Sequence, residues 1–197
     1  NVIIEAIHYA DELPETNFIR GKYAIVGKEY WYGIRIYLPE DWQIDNDREI
    51  ILQWHGQPDR YLGEGWISPP LSLGIGKQKA KRGDHYCLTS LADDKQITDQ
   101  WDVRENNLLV NEKYDLGPIA VDFGKWTDWV FHVKWSYEDD GFLTVWKDGK
   151  IVLDLKDQPN TFNDRIGPYW KIGVYKWGWK RKEIKEQRSK GYEDRKG

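Results

Sequence analysis

Four polar side chains on two β-rich stretches of the chain could together perform acid–base chemistry. Gln53 and His55 lie two positions apart on the first stretch, and Lys171 and Tyr175 lie four positions apart on the second. Because side chains alternate between the two faces of a β-strand, each pair points to a single face. If both strands line one surface, an amide, an imidazole, an ammonium and a phenol meet there. Such a set can neutralise a carboxylate, remove a proton and return one, which is the chemistry of β-elimination.

The elements that would position these residues are short strands. Runs of β-branched and aromatic residues recur along the chain, separated by Gly, Pro, Asn and Asp. They predict ten strands, at 23–26, 31–38, 49–55, 71–75, 85–91, 120–123, 129–136, 142–147, 150–155 and 169–177. Since no helices are interleaved, we expect an all-β fold, a β-jelly roll in which two antiparallel sheets form a concanavalin-A-like sandwich.

The composition excludes several classes of protein. With 40% hydrophobic and 31% charged residues, the 197-residue chain has the composition of a folded globular protein. No apolar run approaches the roughly 18–20 residues of a membrane helix, and the net charge of −4 argues against general binding to nucleic acid or lipid. We expect one domain over residues 1–180 and a charged C-terminal tail over 181–197.

The aromatic content of the chain has two explanations that stay open. The sequence contains 12 Trp and 12 Tyr but 5 Phe. Trp and Tyr combine a flat apolar face with a polar edge, which suits stacking against sugar rings. A β-sheet core is also rich in aromatic residues, and several of the Trp residues must belong to it.

β-Elimination in a polymer of uronic acids has three requirements that these side chains can meet. The C6 carboxylate must be neutralised so that the C5 proton becomes acidic, which Gln53, Arg35 or Lys171 can do. A base must take that proton, and His55 has a suitable unperturbed pKa. An acid must protonate the departing oxygen, and Tyr175 can do so, or can act as the base as well where cations make its phenolate accessible. A single strand histidine is more often structural, so this interpretation depends on the whole set.

Five segments of the chain carry a pattern that resembles a known family. They are Gln-Trp-His-Gly-Gln-Pro-Asp (53–59), Pro-Pro-Leu-Ser-Leu (69–73), Trp-Thr-Asp-Trp-Val-Phe-His-Val-Lys-Trp (126–135), Val-Trp-Lys-Asp-Gly-Lys (145–150) and Gly-Pro-Tyr-Trp-Lys-Ile-Gly-Val-Tyr (167–175). Together they resemble the polysaccharide lyases of the heparin lyase I and glucuronan lyase group, over about residues 17 to 179. The resemblance implies a β-jelly roll with a concave, substrate-binding sheet. By the family pattern His55 and Tyr175 are catalytic, and Gln53 and Lys171 contact carboxylate or sulfate groups.

The resemblance also implies a further basic residue and a metal ion. Arg20 or Arg35 would correspond to the upstream basic residue of the family. Family members often hold a structural calcium ion away from the catalytic cleft, for which Asn163 and Asp164 are candidate oxygen ligands. No organic cofactor is expected. The expected partner is an anionic polysaccharide, with no nucleic acid and no membrane, and we expect a monomer.

Localisation follows from the substrate class alone. The sequence has no methionine and no segment with the pattern of a signal peptide. We therefore expect a secreted or periplasmic protein on account of its polysaccharide substrate, with the leader removed or trimmed.

Two other functions stay open at this point. A non-catalytic carbohydrate-binding module or lectin on the same fold would also use two sheets, many Trp residues and a calcium ion, but would not need His55 and Tyr175 to meet. A glycoside hydrolase needs two carboxylates about 5–10 Å apart, and no acidic pair lies on a predicted strand. Glucuronan, heparin-type chains and alginate all carry a C6 carboxylate, so the sequence leaves the polymer undetermined.

Three remaining features have structural explanations. The basic run 77–82 is expected to be a solvated loop rather than a contact to an anionic polymer. Cys87 is the single cysteine and is expected to be a buried thiol. His132 is expected on the outer surface of its strand, since it alternates with a predicted core row formed by Trp129, Phe131, Val133 and Trp135.

Overall fold

The computed structural model describes residues 3–10, 23–42, 49–77 and 84–176, and gives the backbone alone for 3–10, 76 and 77. Within these ranges the chain forms ten strands. They are β1 (Ile3–Ala10), β2 (Glu29–Leu38), β3 (Glu49–Gln57), β4 (Leu71–Lys77), β5 (Asp84–Ala92), β6 (Val110–Pro118), β7 (Lys125–Lys134), β8 (Phe142–Lys147), β9 (Lys150–Leu155) and β10 (Ile166–Tyr175). In the described ranges, helix is limited to α1 (Gln100–Arg104) and two 3₁₀ turns, Arg60–Leu62 and Ile119–Asp122.

The ten strands form two five-stranded antiparallel sheets. The first sheet has the order β1-β2-β7-β8-β9, and the second has the order β10-β3-β4-β5-β6. In both sheets every strand pairs in antiparallel fashion with its neighbours. The predicted all-β jelly roll of two antiparallel sheets is confirmed.

The core lies between the sheets and is built from alternate residues of each strand. In β2 and β7 buried and exposed positions alternate, as the period of two requires. The predicted core row of β7 is confirmed, because Trp129, Phe131 and Val133 are each fully buried, as is Trp135 just beyond the strand. Several of the aromatic residues that suggested sugar binding are therefore core residues, and His132 lies on the opposite, outer face as predicted.

Two predicted strands are wrong and two observed strands were not predicted. Residues 23–26 form no strand, only an isolated bridge from Tyr23 to Tyr169. Residues 120–122 belong to a 3₁₀ turn, and Phe123 forms an isolated bridge with Leu38. Strands β1 and β6 were missed, and β6 was missed because its sequence Val-Asn-Glu-Lys-Tyr-Asp-Leu-Gly-Pro is mostly polar. A polar strand is stable at this place because β6 is the edge of the second sheet.

Several predictions fall on parts of the chain that the structure does not describe. Arg20, the side chains of the basic run 77–82 and the tail 181–197 lie outside the described residues. Among the residues that are described, no helix is long and apolar enough to cross a membrane.

Candidate active site on the second sheet

Strand register brings four polar side chains together on one face of the second sheet. Lys171 pairs with Gln53, and Tyr169 pairs with His55, across the antiparallel ladder between β10 and β3. Residues that pair directly in a ladder point to the same face. The four side chains therefore stand at the corners of a two-by-two block. We call the face that carries this block the site face.

Burial on the other side of the same strands fixes which residues reach the site face. Trp54 is fully buried between the sheets and stacks against Trp170, with ring centroids 6.1 Å apart and an interplanar angle of 13°. The ring of Tyr32 in the first sheet meets both indoles edge-on, with centroids 5.1 Å from that of Trp54 and 5.2 Å from that of Trp170. Because these two indoles point inward, the residues before and after them must point outward.

His55 is held in one position and in its neutral form. The side chain is 3% exposed, and its Nδ1–H donates to the carbonyl oxygen of Gly56 at 2.9 Å. Its ring lies 4.4 Å from that of Trp66 and 5.8 Å from that of Tyr169, measured between centroids. Burial lowers the pKa of His55, the charge of Lys171 lowers it further, and the Gly56 bond opposes them in part. A neutral ring that donates from Nδ1 has its lone pair on Nε2, so Nε2 can accept a proton.

Gln53, Lys171 and Tyr175 line a groove on the site face. The groove has a volume of about 290 Å³, and it is completed by Ile50, Leu52 and residues 172–174. The phenol of Tyr175 is accessible, since the residue is 51% exposed. The structure thus brings three of the four residues predicted from the sequence into one groove.

Tyr175 does not lie opposite His55. A bulge in β10 follows Ile172, and Tyr175 pairs with Ile50, at the far end of β3 from His55. At about 3.3 Å per residue, the two positions are on the order of 15 Å apart along the strands. The phenol next to His55 is that of Tyr169, and the Nζ of Lys171 lies 5.0 Å from the centroid of the Tyr169 ring.

Arg35 is not at this site. It lies on the outer face of the first sheet, where its Nε donates to Asp128 Oδ1 at 2.7 Å. Its guanidinium also lies 5.8 Å from the ring centroid of Trp126. The structure therefore gives Arg35 partners on the opposite side of the molecule from the site face. Arg20, the other candidate for the basic residue, lies outside the described residues.

Two residues of the site were not found from the sequence. Tyr169 stands two positions before Lys171 and so shares its face, which the alternation of side chains could have shown. Trp66 lies in the loop between Gly63 and β4, is 56% exposed, and partly covers His55. No periodic pattern marks a loop residue of this kind, so the sequence offered no signal for it.

A group of buried carboxylates braces the loops next to His55. Glu64 Oε2 accepts from the backbone N–H of Asp59 at 2.6 Å, and Oε1 accepts from that of Thr98 at 2.8 Å. Asp164 lies beside Glu64, and burial together with that carboxylate raises the pKa of Asp164 to about 9. A Cβ added at Gly56 would lie 3.1 Å from Asp164 Oδ2, so Asp164 packs closely under the end of β3.

The two predicted calcium ligands are neighbours in the loop before β10. Asn163 donates its side-chain N–H to the carbonyl oxygen of Asp94 at 2.9 Å. Asp164 Oδ1 is buried and has no hydrogen-bond partner among the described residues. In the described parts of the chain, no three or more His, Cys, Asp or Glu side chains are placed to hold a metal ion. A calcium ion at Asn163 and Asp164 stays a prediction, and no chemical step is assigned to one.

Comparison with known proteins agrees with this fold and with the resemblance seen in the sequence. A family model described as polysaccharide lyase matches residues 12–193. The structure resembles that of an endo-β-1,4-glucuronan lyase from the fungus Trichoderma reesei, with a TM-score of 0.62 at 18% identity, covering 93% of this chain and 67% of that one. It also resembles alginate lyase AlyC3, with a TM-score of 0.54 at 16% identity, covering 78% of this chain and 60% of that one.

The similar structures and the family match support different conclusions. At such identities the two solved structures show a shared fold, and this chain spans about two thirds or less of their lengths. None of the curated proteins matches the chain. The family model extends over nearly the whole sequence. The chain therefore belongs to the polysaccharide lyase family.

Proposed function

We propose that the protein cleaves a uronic-acid polysaccharide by β-elimination and leaves an unsaturated uronate at the new non-reducing end. The observation that carries the proposal is the block of Gln53, His55, Tyr169 and Lys171 on the site face. Within one block it offers a cation, an amide, a neutral imidazole and a phenol. Each of the three requirements of β-elimination has a candidate among them.

Lys171 and Gln53 are proposed to neutralise the C6 carboxylate of the sugar. They pair across the ladder, and both line the groove. An ammonium and an amide N–H can each donate to one carboxylate oxygen, which lowers the negative charge on the group. The C5 proton then becomes more acidic, because the enolate-like charge that forms when it leaves is stabilised at the same oxygens.

His55 is proposed as the base that removes the C5 proton. Its lowered pKa keeps the ring neutral at pH 7, and its Nδ1–H bond to Gly56 leaves Nε2 to accept the proton. As the C5–H bond breaks, its electrons form the C4–C5 double bond and the C4–O bond breaks. The departing oxygen takes a proton from an acid, so the balance closes without an oxidant or a metal.

The acid is proposed to be a tyrosine, and two are placed for it. Tyr175 is the tyrosine that the family pattern indicates, and it lines the groove with Lys171. Tyr169 is the tyrosine that lies beside His55. If the C5 proton and the leaving oxygen lie on opposite faces of the sugar, a base and a separate acid are needed. If they lie on the same face, one tyrosine can serve both steps while His55 assists.

Glucuronan and alginate are the polymers proposed for the first tests. The two similar solved structures are those of a glucuronan lyase and an alginate lyase, and both polymers carry a C6 carboxylate on every residue. A heparin-type chain would be the third candidate. A polysaccharide of this kind is extracellular, which supports the proposal that the protein is exported.

The test is an ultraviolet assay for the conjugated double bond of the unsaturated product. We expect the absorbance to rise with glucuronan or alginate and to stay flat with a neutral glucan of similar length, because a sugar without a C6 carboxylate has no acidic C5 proton. Reducing ends should appear in proportion to the double bonds. Reducing ends without absorbance would show hydrolysis, and binding without either product on any uronate polymer would show a lectin.

A further inference from the structure

One line of side chains crosses the whole second sheet on the site face. Lys171 pairs with Gln53, Gln53 pairs with Ser72, Ser72 with Thr89, and Thr89 with Lys113. Direct pairing keeps all five on the same face. The line therefore begins at the proposed carboxylate site on β10 and ends at a second lysine on the edge strand β6. We call these five residues the cross-strand row.

The middle of the cross-strand row carries small side chains. Ser72 and Thr89 are buried, at 5% and 8% exposed. Gly74, two positions after Ser72, has no side chain to rise above them. Neighbouring strands are about 4.8 Å apart, so four strand intervals separate Lys171 from Lys113 by about 19 Å. That is the length of several sugar residues in an extended chain.

Lys113 stands at the far end of the cross-strand row as an exposed cation. It is exposed, and within the described part of the chain no ion pair to it is found. Its neighbours on the same face of β6 are Asn111 and Asp115. Asp115 is engaged elsewhere, since its Oδ1 lies 2.7 Å from His85 Nδ1 and accepts from the backbone N–H of Gly117 at 2.9 Å. A substrate carboxylate can therefore approach Lys113, with the amide of Asn111 beside it.

We propose that Lys113 forms a distal carboxylate subsite that binds a uronate several residues away from the bond being broken. The proposal rests on the proposed function, because it takes the occupant to be a uronate polymer. The polymer would lie across the strands along the cross-strand row, with one carboxylate at Lys171 and another at Lys113. Such an arrangement favours long chains and cleavage within them, since a short oligomer held at Lys171 does not reach Lys113.

The test compares three variants for binding and for turnover. Lys113→Gln removes the charge and keeps much of the side-chain length, Lys113→Arg keeps the charge, and Lys150→Gln removes an exposed lysine on β9 of the other sheet as the matched control. Binding is measured by affinity electrophoresis in gels containing glucuronan or alginate. Turnover is measured on the same polymers and on their purified oligosaccharides of increasing length.

The usual binding free energy of an exposed ion pair predicts the size of the effect. Loss of the charge in Lys113→Gln should weaken polymer binding and raise KM on long chains by about 2- to 5-fold. KM on the shortest cleaved oligosaccharide and kcat should stay at the wild-type values. Lys113→Arg should retain most of the binding, Lys150→Gln should match the wild type, and the effect should shrink as salt is added.

Two results would overturn the subsite. One is wild-type binding by Lys113→Gln, and the other is a loss of the same size on short and long substrates. The proposed function can fail separately. If the wild type yields no unsaturated product, affinity electrophoresis still shows whether Lys113 contributes to binding of a uronate polymer, because that measurement needs no turnover.

Discussion

At the scale of single residues, two tyrosines of β10 are candidates for the acid that protonates the leaving oxygen. Tyr175 matches the family pattern and is accessible in the groove, whereas Tyr169 lies 5.8 Å from His55 between ring centroids and next to the ammonium of Lys171. Parity along the strand placed both Lys171 and Tyr175 correctly on the site face. Parity does not give the register between strands, so it could not show which phenol meets the imidazole.

Replacing each tyrosine by phenylalanine separates the two candidates. Tyr169→Phe and Tyr175→Phe each keep the ring and remove the hydroxyl proton. The variant that loses the acid should lose at least ~10²-fold in turnover, while its polymer binding changes little, because one hydrogen bond contributes about 0.5–1.5 kcal/mol. Initial rates and affinity electrophoresis on the same polymer decide the question. Wild-type turnover in both variants would exclude a tyrosine acid.

At the scale of elements, buried carboxylates connect the loops that flank β3 and β10. Asp164, just before β10, is 6% exposed and lies beside Glu64 of the loop that carries Trp66. Asp59, after β3, accepts from the backbone N–H of Arg165 at 3.1 Å through its Oδ2. These contacts hold the loop of Trp66 against the end of β3, where Trp66 covers His55. The proton that Asp164 keeps at neutral pH therefore belongs to the support of the site.

Stability should depend on pH because of Asp164. Its pKa is about 9 in the folded state, against about 3.9 for an unperturbed aspartate. The folded state therefore binds more protons than the unfolded state between about pH 4 and pH 9, so the free energy of unfolding falls as pH rises through that range. Since each pKa unit corresponds to about 1.4 kcal/mol, the total loss is on the order of several kcal/mol.

Asp164→Asn should remove most of this pH dependence. The amide has the shape of the protonated carboxyl and can donate to Glu64, but it does not ionise. Urea unfolding at pH 5, 7 and 9 should show a steep decline for the wild type and a flatter profile for the variant, with the variant the more stable at pH 9. Asp139→Asn, at an exposed turn, is the control and should follow the wild type. Parallel profiles for Asp164→Asn and the wild type would refute the raised pKa of Asp164.

The strands show how much of the fold can be predicted from local sequence. Strands β8 and β9 were predicted at their observed bounds, and β2 was predicted close to them, whereas β7 was predicted at 129–136 but runs from Lys125 to Lys134. Strand β6 was missed because its sequence is mostly polar, with Tyr114 and Leu116 as the residues that pack against the core. Because β6 was missed, Lys113 at the end of the cross-strand row was not among the predicted site residues. Such a row depends on pairing between distant segments, which no local pattern contains.

At the scale of the whole molecule, the two outer faces differ in chemistry. The site face is polar and carries the groove. The outer face of the first sheet carries an aromatic cluster, in which Trp31 stacks on His132 at 3.8 Å and on Trp146 at 5.6 Å between ring centroids. His132 also meets Phe142 edge-on at 4.7 Å. Because these rings stack on one another, part of their aromatic surface is already in contact within the protein.

One substitution on each outer face should therefore separate the effect on stability from the effect on polymer binding. Trp31→Ala removes two stacked contacts from a residue that is 37% exposed, and it should lower the free energy of unfolding by about 1–2 kcal/mol without changing binding to glucuronan or alginate. Lys171→Gln removes the proposed carboxylate contact and should weaken binding while stability stays within about 0.5 kcal/mol of the wild type. Urea unfolding and affinity electrophoresis on both variants test the pair. Weaker polymer binding by Trp31→Ala, with Lys171→Gln unaffected, would move the polysaccharide to the first sheet and favour a lectin over a lyase, since the block around His55 would then have no substrate to act on.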